Sequence, residues 1–381
     1  MNSDWKECVL SDIYEFTSGL SKNSKEFGFG SPFLSFKTVF NNYFIPSKLN
    51  ELVNTTQTEQ EKCSIKKGDV FLTRTSETMN ELGMSCVSLK DYPHATFNGF
   101  TKRLRPKKTG IIYPLFAGYY FRSGFFRNAI NSMAIMTTRA SLNNEILSKL
   151  PILLPSYETQ EKIGEILFNI DKKIKTNEKI NKNLEHIVEI FFQKNIINYW
   201  QNESPKDWKI ANLSELITIT SGKRPKIREE KENEEFSVPV IGASSIMAYT
   251  NEFIYNEPLI LIGRVGTLGI VQRINFKSFP SDNTLVIKSK YYEYVFQILK
   301  KINYGMLNVG STQPLITQTS IKDFEVIIPP ENILTNFEEF SKTIYHEIYK
   351  NQIENKRLIE LRDVLLLKLI SGQIDVLNVK I

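Results

Sequence analysis

From Pro155 to Asn198 the chain reads as one uninterrupted amphipathic helix, and that stretch limits the folds open to it more than any other. Ile163, Leu167, Ile170 and Ile174, then Leu184, Val188 and Phe191, recur at steps of three and four, the period of one helix face. Ser156 is placed to cap the N-terminus, and Glu158 and Glu161 favour its positive end. Some forty residues at about 1.5 Å each make a rod of roughly 60 Å. The apolar stripe is narrow, as in a coiled-coil seam that needs a partner.

The partner lies in the same chain. At an offset of 174 positions, Leu153, Leu154 and Pro155 become Ile327, Ile328 and Pro329. Ile163, Ile166, Ile170 and Ile174 become Phe337, Phe340, Ile344 and Ile348, and Leu184, Ile187 and Phe191 become Leu358, Leu361 and Leu365. Asn177 with Asn351, and Asn181 with Asn355, keep the stripe polar at matching places. In an antiparallel pair these four amides form a polar layer at mid-length, where a buried Asn sets register. The repeat begins earlier at a larger offset: Trp5-Lys6, Leu10-Ser11 and Ser18-Gly19 recur 203 positions on as Trp208-Lys209, Leu213-Ser214 and Ser221-Gly222. The order is therefore globular part, long helix, globular part, long helix, and the second globular part is the shorter. A repeat this long is a duplicated domain.

Both globular parts read as strand-rich, of α+β class. Val70-Phe71-Leu72, Met84 to Ser88 and Leu259 to Ile262 are strands, Tyr113 to Phe126 and Tyr291 to Ile302 are helices packed on them, and Leu150 to Leu154 and Phe324 to Ile328 are last strands feeding the rods. Trp200 to Asp207 is polar, carries Pro205 and reads as a linker. The predicted segments are 1–155, a helix over 156–199, a linker over 200–207, a second globular domain over 208–329, a helix over 330–371 and a tail over 372–381.

The chain has 381 residues, suiting two or three domains, and its net charge of +6 makes a polyanion a plausible partner. Cys8, Cys63 and Cys86 lack paired spacing and point to reduced thiols in a cytosol. The N-terminus has no signal-peptide pattern, and no apolar run is long enough for a membrane span. His94, His186 and His346 form no metal motif, and Phe27-Gly28-Phe29-Gly30 reads as a polar-flanked loop. There is no Asn-Pro-Pro-aromatic tetrad, nucleophile elbow or nuclease carboxylate pair, which argues for a binding protein over an enzyme.

Basic and polar loop residues recur at matching places. Lys22 and Lys25 follow Ser18-Gly19, as Lys223, Arg224 and Lys226 follow Ser221-Gly222. Arg74 and Arg264 end equivalent strands. Thr138 and Arg139 sit in one Thr-rich loop, Thr312 and Gln313 in the other. Singly these are solvated loop charges as readily as ligand contacts. As a repeated set they suit nucleic acid, with Arg and Gln on base edges and Lys and Thr on phosphates.

With its paired Trp-Lys, Leu-Ser and Ser-Gly openings, its strand-proline entries at 150–155 and 324–329, its long helices and the ending Leu365 to Ile374, the chain resembles the specificity subunits of type I restriction–modification enzymes over essentially its whole length. The resemblance implies two tandem target-recognition domains separated by two long helices forming an antiparallel coiled coil. It implies that each domain reads half of a bipartite site in double-stranded DNA, in the cytoplasm, and that the helices dock two methyltransferase subunits. A restriction subunit, the translocase and nuclease, then joins. S-adenosylmethionine, Mg and ATP are expected only on those partners, with no cofactor on this chain. The competing expectation is a coiled-coil scaffold for other proteins without DNA specificity.

Overall fold

The computed structural model describes residues 5–378 apart from Glu77, Met79, Asn80, Ala134, 137–139, Ser204, Gly266, Thr267 and 311–314. The chain divides into two compact units, Met1–Asn177 with Ile353–Ile381, and Glu178–Gln352. Each unit holds one globular domain and half of each long helix.

The two domains share one strand plan. In the first, a four-stranded antiparallel sheet runs in the order Tyr14–Ser18, Thr101–Pro106, Val70–Thr73, Ser85–Val87. In the second the order is Thr218–Ser221, Thr284–Lys288, Leu259–Gly263, Val271–Ile274. A smaller three-stranded sheet accompanies each, with one parallel pair: Phe33 opposite Thr96 in one, Val240 opposite Phe279 in the other. The opening and closing strands of each domain also pair with each other. Lys6 lies opposite Leu154, and Lys209 opposite Ile328. The two offsets of the repeat are thereby reconciled: first and last strands meet in both copies, and the residues lost in the second copy come from the loops between.

The apolar stretch from Tyr113 to Phe126 forms two helices, Pro114–Tyr120 and Gly124–Met133, broken where Ser123 Oγ–H donates to the Tyr120 carbonyl (2.7 Å). Its counterpart is Tyr292–Lys301. Tyr120 OH accepts from the Leu153 amide, and Tyr294 OH donates to the Ile327 carbonyl, so both helices are tied to the last strand. The first core gathers Leu10, Val70, Leu104, Phe116, Ile152 and Leu167; the second gathers Val188, Leu213, Ile260, Ile287, Tyr294 and Phe337.

The first long helix is Tyr157–Phe192, with Ser156 Oγ accepting the Thr159 amide (3.2 Å). It continues through a π-helical turn, Gln193–Asn198, and ends in Tyr199–Glu203. The linker expected over 200–207 is thus helical at its start, because Trp200 stacks on Trp208 and extends the rod. The second long helix is Glu331–Ile370. Within each unit the helix halves run antiparallel: in the first Asp171 meets Arg362 and Asn177 meets Asn355, in the second Asn181 meets Asn351 and Phe191 stacks on Phe340. Asn177 Nδ2 donates to Asn355 Oδ1 (2.9 Å) and Glu354 Oε2 (2.7 Å), and Asn351 Nδ2 donates to Asn181 Oδ1 (2.8 Å).

One expectation needs correction. Phe27 to Gly30 is not loop but the start of the strand Phe27–Leu34. Gly28 and Gly30 take φ of +95° and +94°, and Phe27 and Ser31 both face Val53, so a bulge conceals the alternation that marks a strand. In the tail after Ser371, Gly372 lies against Trp5, and Val376 joins the core with Leu366, Leu369 and Ile370.

Candidate nucleic-acid interface

In each domain three loops meet at one end of the main sheet, held by the same set of backbone bonds. The first domain's opening strand ends at Ser18-Gly19. A Cβ on Gly19 would lie 2.3 Å from the Asn98 and Phe97 carbonyls, so only glycine permits this approach. The Asn98–Thr101 turn is closed twice, by the Thr101 amide (3.0 Å) and Thr101 Oγ1–H (2.7 Å), both donating to the Asn98 carbonyl. The Arg74 amide donates to the Phe100 carbonyl (2.9 Å), and the Leu142 amide to the Arg74 carbonyl (2.8 Å).

The second domain repeats the arrangement bond for bond. Gly222 presses on the Ser281 carbonyl, where a Cβ would lie at 2.1 Å. The Thr284 amide (3.0 Å) and Thr284 Oγ1–H (2.7 Å) donate to the Ser281 carbonyl. The Arg264 amide donates to Asn283 (3.0 Å), and the Ile316 amide to Arg264 (2.9 Å). The Ser-Gly loops, the strand-end arginines and the segments Ala140 to Leu142 and Leu315 to Ile316 therefore converge in the two copies. Ala140–Ser141 pairs with Thr75–Ser76 just beyond Arg74, and Leu315 bridges Val265 just beyond Arg264.

The candidate residues differ in freedom. Lys25, Lys223, Arg224 and Lys226 are exposed. Arg74 and Arg264 are half-buried, and Arg264 Nη1–H donates to Ser221 Oγ (3.2 Å). Lys22 is committed elsewhere: it pairs with Glu59 (2.8 Å) and Glu26 (3.3 Å), and its side chain is only 13% exposed. The Glu59 bond raises the Lys22 pKa, so the residue braces the loop rather than offering a free charge. Thr138, Arg139, Thr312 and Gln313 lie outside the described residues. One residue missed in the sequence, Lys102, is buried at this end of the sheet and donates to Ser18 Oγ (2.9 Å) and Asn144 Oδ1 (2.7 Å). Burial, then the charge of Arg74, lowers its pKa. The strand Thr101–Pro106 reads TKRLRP, so Lys102 is one basic residue among three and nothing in the sequence marks it as the inward-facing one.

What the rim presents is mostly donors: guanidinium, ammonium and amide groups beside exposed loop backbone. Such a set contacts phosphate oxygens and base edges. Among the described residues no cluster of His, Cys, Asp or Glu could hold a metal ion, and no helix is long and apolar enough to cross a membrane.

The family model of the type I restriction modification DNA specificity domain matches residues 2–186 and again 205–362, one match per repeat. The chain belongs to the type I restriction–modification specificity family. This specificity subunit is 25% identical over 419 aligned residues to the MjaIX specificity subunit of Methanocaldococcus jannaschii, covering 98% of this chain and 94% of that one. It is 23% identical to the HindI specificity subunit of Haemophilus influenzae, covering 98% and 100%. The fold matches the crystal structure of a type I restriction–modification S subunit from M. genitalium with a TM-score of 0.63 at 15% identity, over 97% of this chain and 96% of the other. The duplicated, helix-separated architecture is thus that of the specificity subunits.

Proposed function

We propose that each globular domain reads one half of a bipartite target in double-stranded DNA, and that the paired helices set the gap between halves and dock two methyltransferase subunits. A restriction subunit, carrying translocase and nuclease, completes the enzyme in the cytoplasm. This chain recognises and does no chemistry; S-adenosylmethionine, Mg and ATP belong to the partners. The observation that carries the reading is the rim built twice by the same hydrogen bonds on different side chains, as two readers of unlike half-sites require. The charge of Lys223, Arg224, Lys226 and Lys25 suits the phosphates that flank such a site. The helices keep apolar residues exposed, Ile187 and Ile190 in one unit and Leu361, Val364 and Leu367 in the other, which supports docking of further subunits there.

The test is an exchange. Replacing residues 1–155 with those of a related subunit of different specificity should change one half-site and leave the other. A change in both halves overturns the modular reading. Absence of any salt-dependent, sequence-selective binding to duplex DNA would leave the protein scaffold as the better account.

A further inference from the structure

The rim contains one position per domain that is fixed in backbone and different in chemistry. Phe100 and Asn283 are equivalent by the turn bonds they share, although the Phe100 amide also donates to Asn98 Oδ1 (2.7 Å). Each follows the turn's second residue, each precedes the threonine that closes the turn twice, and each offers its carbonyl to the amide of the strand-end arginine. Neither side chain serves the fold. Phe100 is 58% exposed, whereas Phe97, three residues earlier, is fully buried. Asn283 is exposed, and its amide makes no hydrogen bond among the described residues. An exposed phenyl ring forgoes the gain of burial, so its place beside Arg74 is unexplained by stability. In the second domain Asp282 precedes Asn283 and is also exposed. A carboxylate is repelled by phosphates but can accept from a cytosine amino group, so this tip suits base edges and not the DNA backbone.

We propose that Phe100 and Asn283 are base-reading tips of the two domains, Asn283 bonding an adenine edge through both amide atoms and Phe100 packing on a thymine methyl group in the major groove. The proposal rests on the DNA-reading function above and names where that reading is done. The turn backbone is pre-ordered by the glycine approach and the threonine clamp. Changing the tip side chain therefore alters what is read without altering how the tip is held, so the two copies read different bases with one scaffold.

The full chain, with whatever subunits co-purify, is offered a randomised duplex library, and the bound fraction is sequenced for the natural protein, Asn283→Ala and Phe100→Ala. Asn283→Ala should lose about 10- to 100-fold discrimination at one base pair, the size of one bidentate contact. Phe100→Ala should lose about fourfold at one position of the other half-site, the transfer of one methyl group. Both should keep the natural salt dependence, since neither contacts a phosphate, whereas a variant that merely loosened the domain would lose binding at all positions together. Unchanged discrimination in both variants, with the natural protein still selecting a bipartite sequence, overturns the tip assignment and leaves the DNA-reading function intact. Change in both half-sites from either single variant also overturns it. A natural protein that selects no sequence removes the function and this proposal together.

Discussion

Replacing Asn177 with leucine should destabilise the first unit, and replacing Asn177 and Asn355 together should stabilise it. Asn177 is almost fully buried and donates to Asn355 Oδ1 and Glu354 Oε2. In Asn177→Leu, Glu354 keeps Lys173 at 3.2 Å and reaches solvent, so its loss is small. Asn355 is worse placed: its Oδ1 loses its donor inside the seam, while its Nδ2 keeps only the Ile174 carbonyl at 3.3 Å. A stranded acceptor costs about 1–3 kcal/mol, against which the new leucine recovers about half, leaving a net loss of about 1 kcal/mol. In the double variant no amide is stranded and two leucines meet across the seam, which should give a gain of about 1 kcal/mol. With a similar loss of about 1 kcal/mol from Asn355→Leu, the coupling between the sites is about 3 kcal/mol. At roughly 2–4 °C per kcal/mol for a unit of about 200 residues, the single variant melts a few degrees lower and the double a few degrees higher. Calorimetry of the full chain, with Asn181→Leu/Asn351→Leu as the parallel cycle in the second unit, measures both. Additive losses from the two single changes would refute the argument. A stabilised double variant should also tolerate slipped pairing, with a slip of one heptad moving a helix by about 10 Å.

Arg362→Met should destabilise the first unit by about 2 kcal/mol, because Asp171 would keep only Tyr119 OH in a mostly buried setting; adding Asp171→Asn should recover most of it in the same calorimetric scan. Burial, outweighing the neighbouring Arg273, pushes the Glu293 carboxyl up from 4.5 to about 7. The folded state therefore keeps a proton that the unfolded chain has lost, and stability of the second unit falls as pH rises from about 4.5 to about 7 and levels off above. Thermal unfolding across that range should show a shallower slope in Glu293→Gln, with the remainder from Glu338, also raised by burial; an unchanged slope would refute the assignment. Lys223→Ala and Arg224→Ala should each weaken duplex binding at all sequences and lower the salt slope by about 0.9, whereas Arg264→Ala should change preference at one base pair by about 1–3 kcal/mol. Equal salt slopes in all variants would remove the lysine and arginine from the phosphate contacts.

The long helices and the strands that feed them were legible because several signals coincide there: a 3.6-residue period, a proline that stops the strand, and a second copy in register. The strand-end arginines were legible because each follows a fully apolar strand core, Val70-Phe71-Leu72 in one copy and Leu259 to Ile262 in the other. Other features depend on partners far apart in sequence. Lys22 meets Glu59 only because the loop before the bulged strand folds over the helix Gln57–Lys62. The tip turns were hidden by the drift of the repeat. Gly19 to Gly222 is 203 positions, Arg74 to Arg264 is 190, Thr101 to Thr284 is 183 and Leu142 to Ile316 is 174, so no single alignment brings Phe100 onto Asn283. The two turns share little beyond the closing threonine, and their equivalence is carried by backbone bonds that a sequence does not display.

The discontinuous make-up of the first unit has a consequence for synthesis on the ribosome. Residues 1–177 are made first, yet Leu366, Leu369, Ile370 and Val376 of the last stretch belong to their core. The second unit is one continuous segment and can close as soon as it emerges. At 5–20 residues per second, the first-made domain waits roughly 10–40 s for its last core residues while about 200 more are translated. During that interval the groove that will receive the closing helix turns stands open. The domain that leaves the ribosome first is the last to be finished, and it is the one more exposed to chaperone capture or proteolysis in the nascent chain.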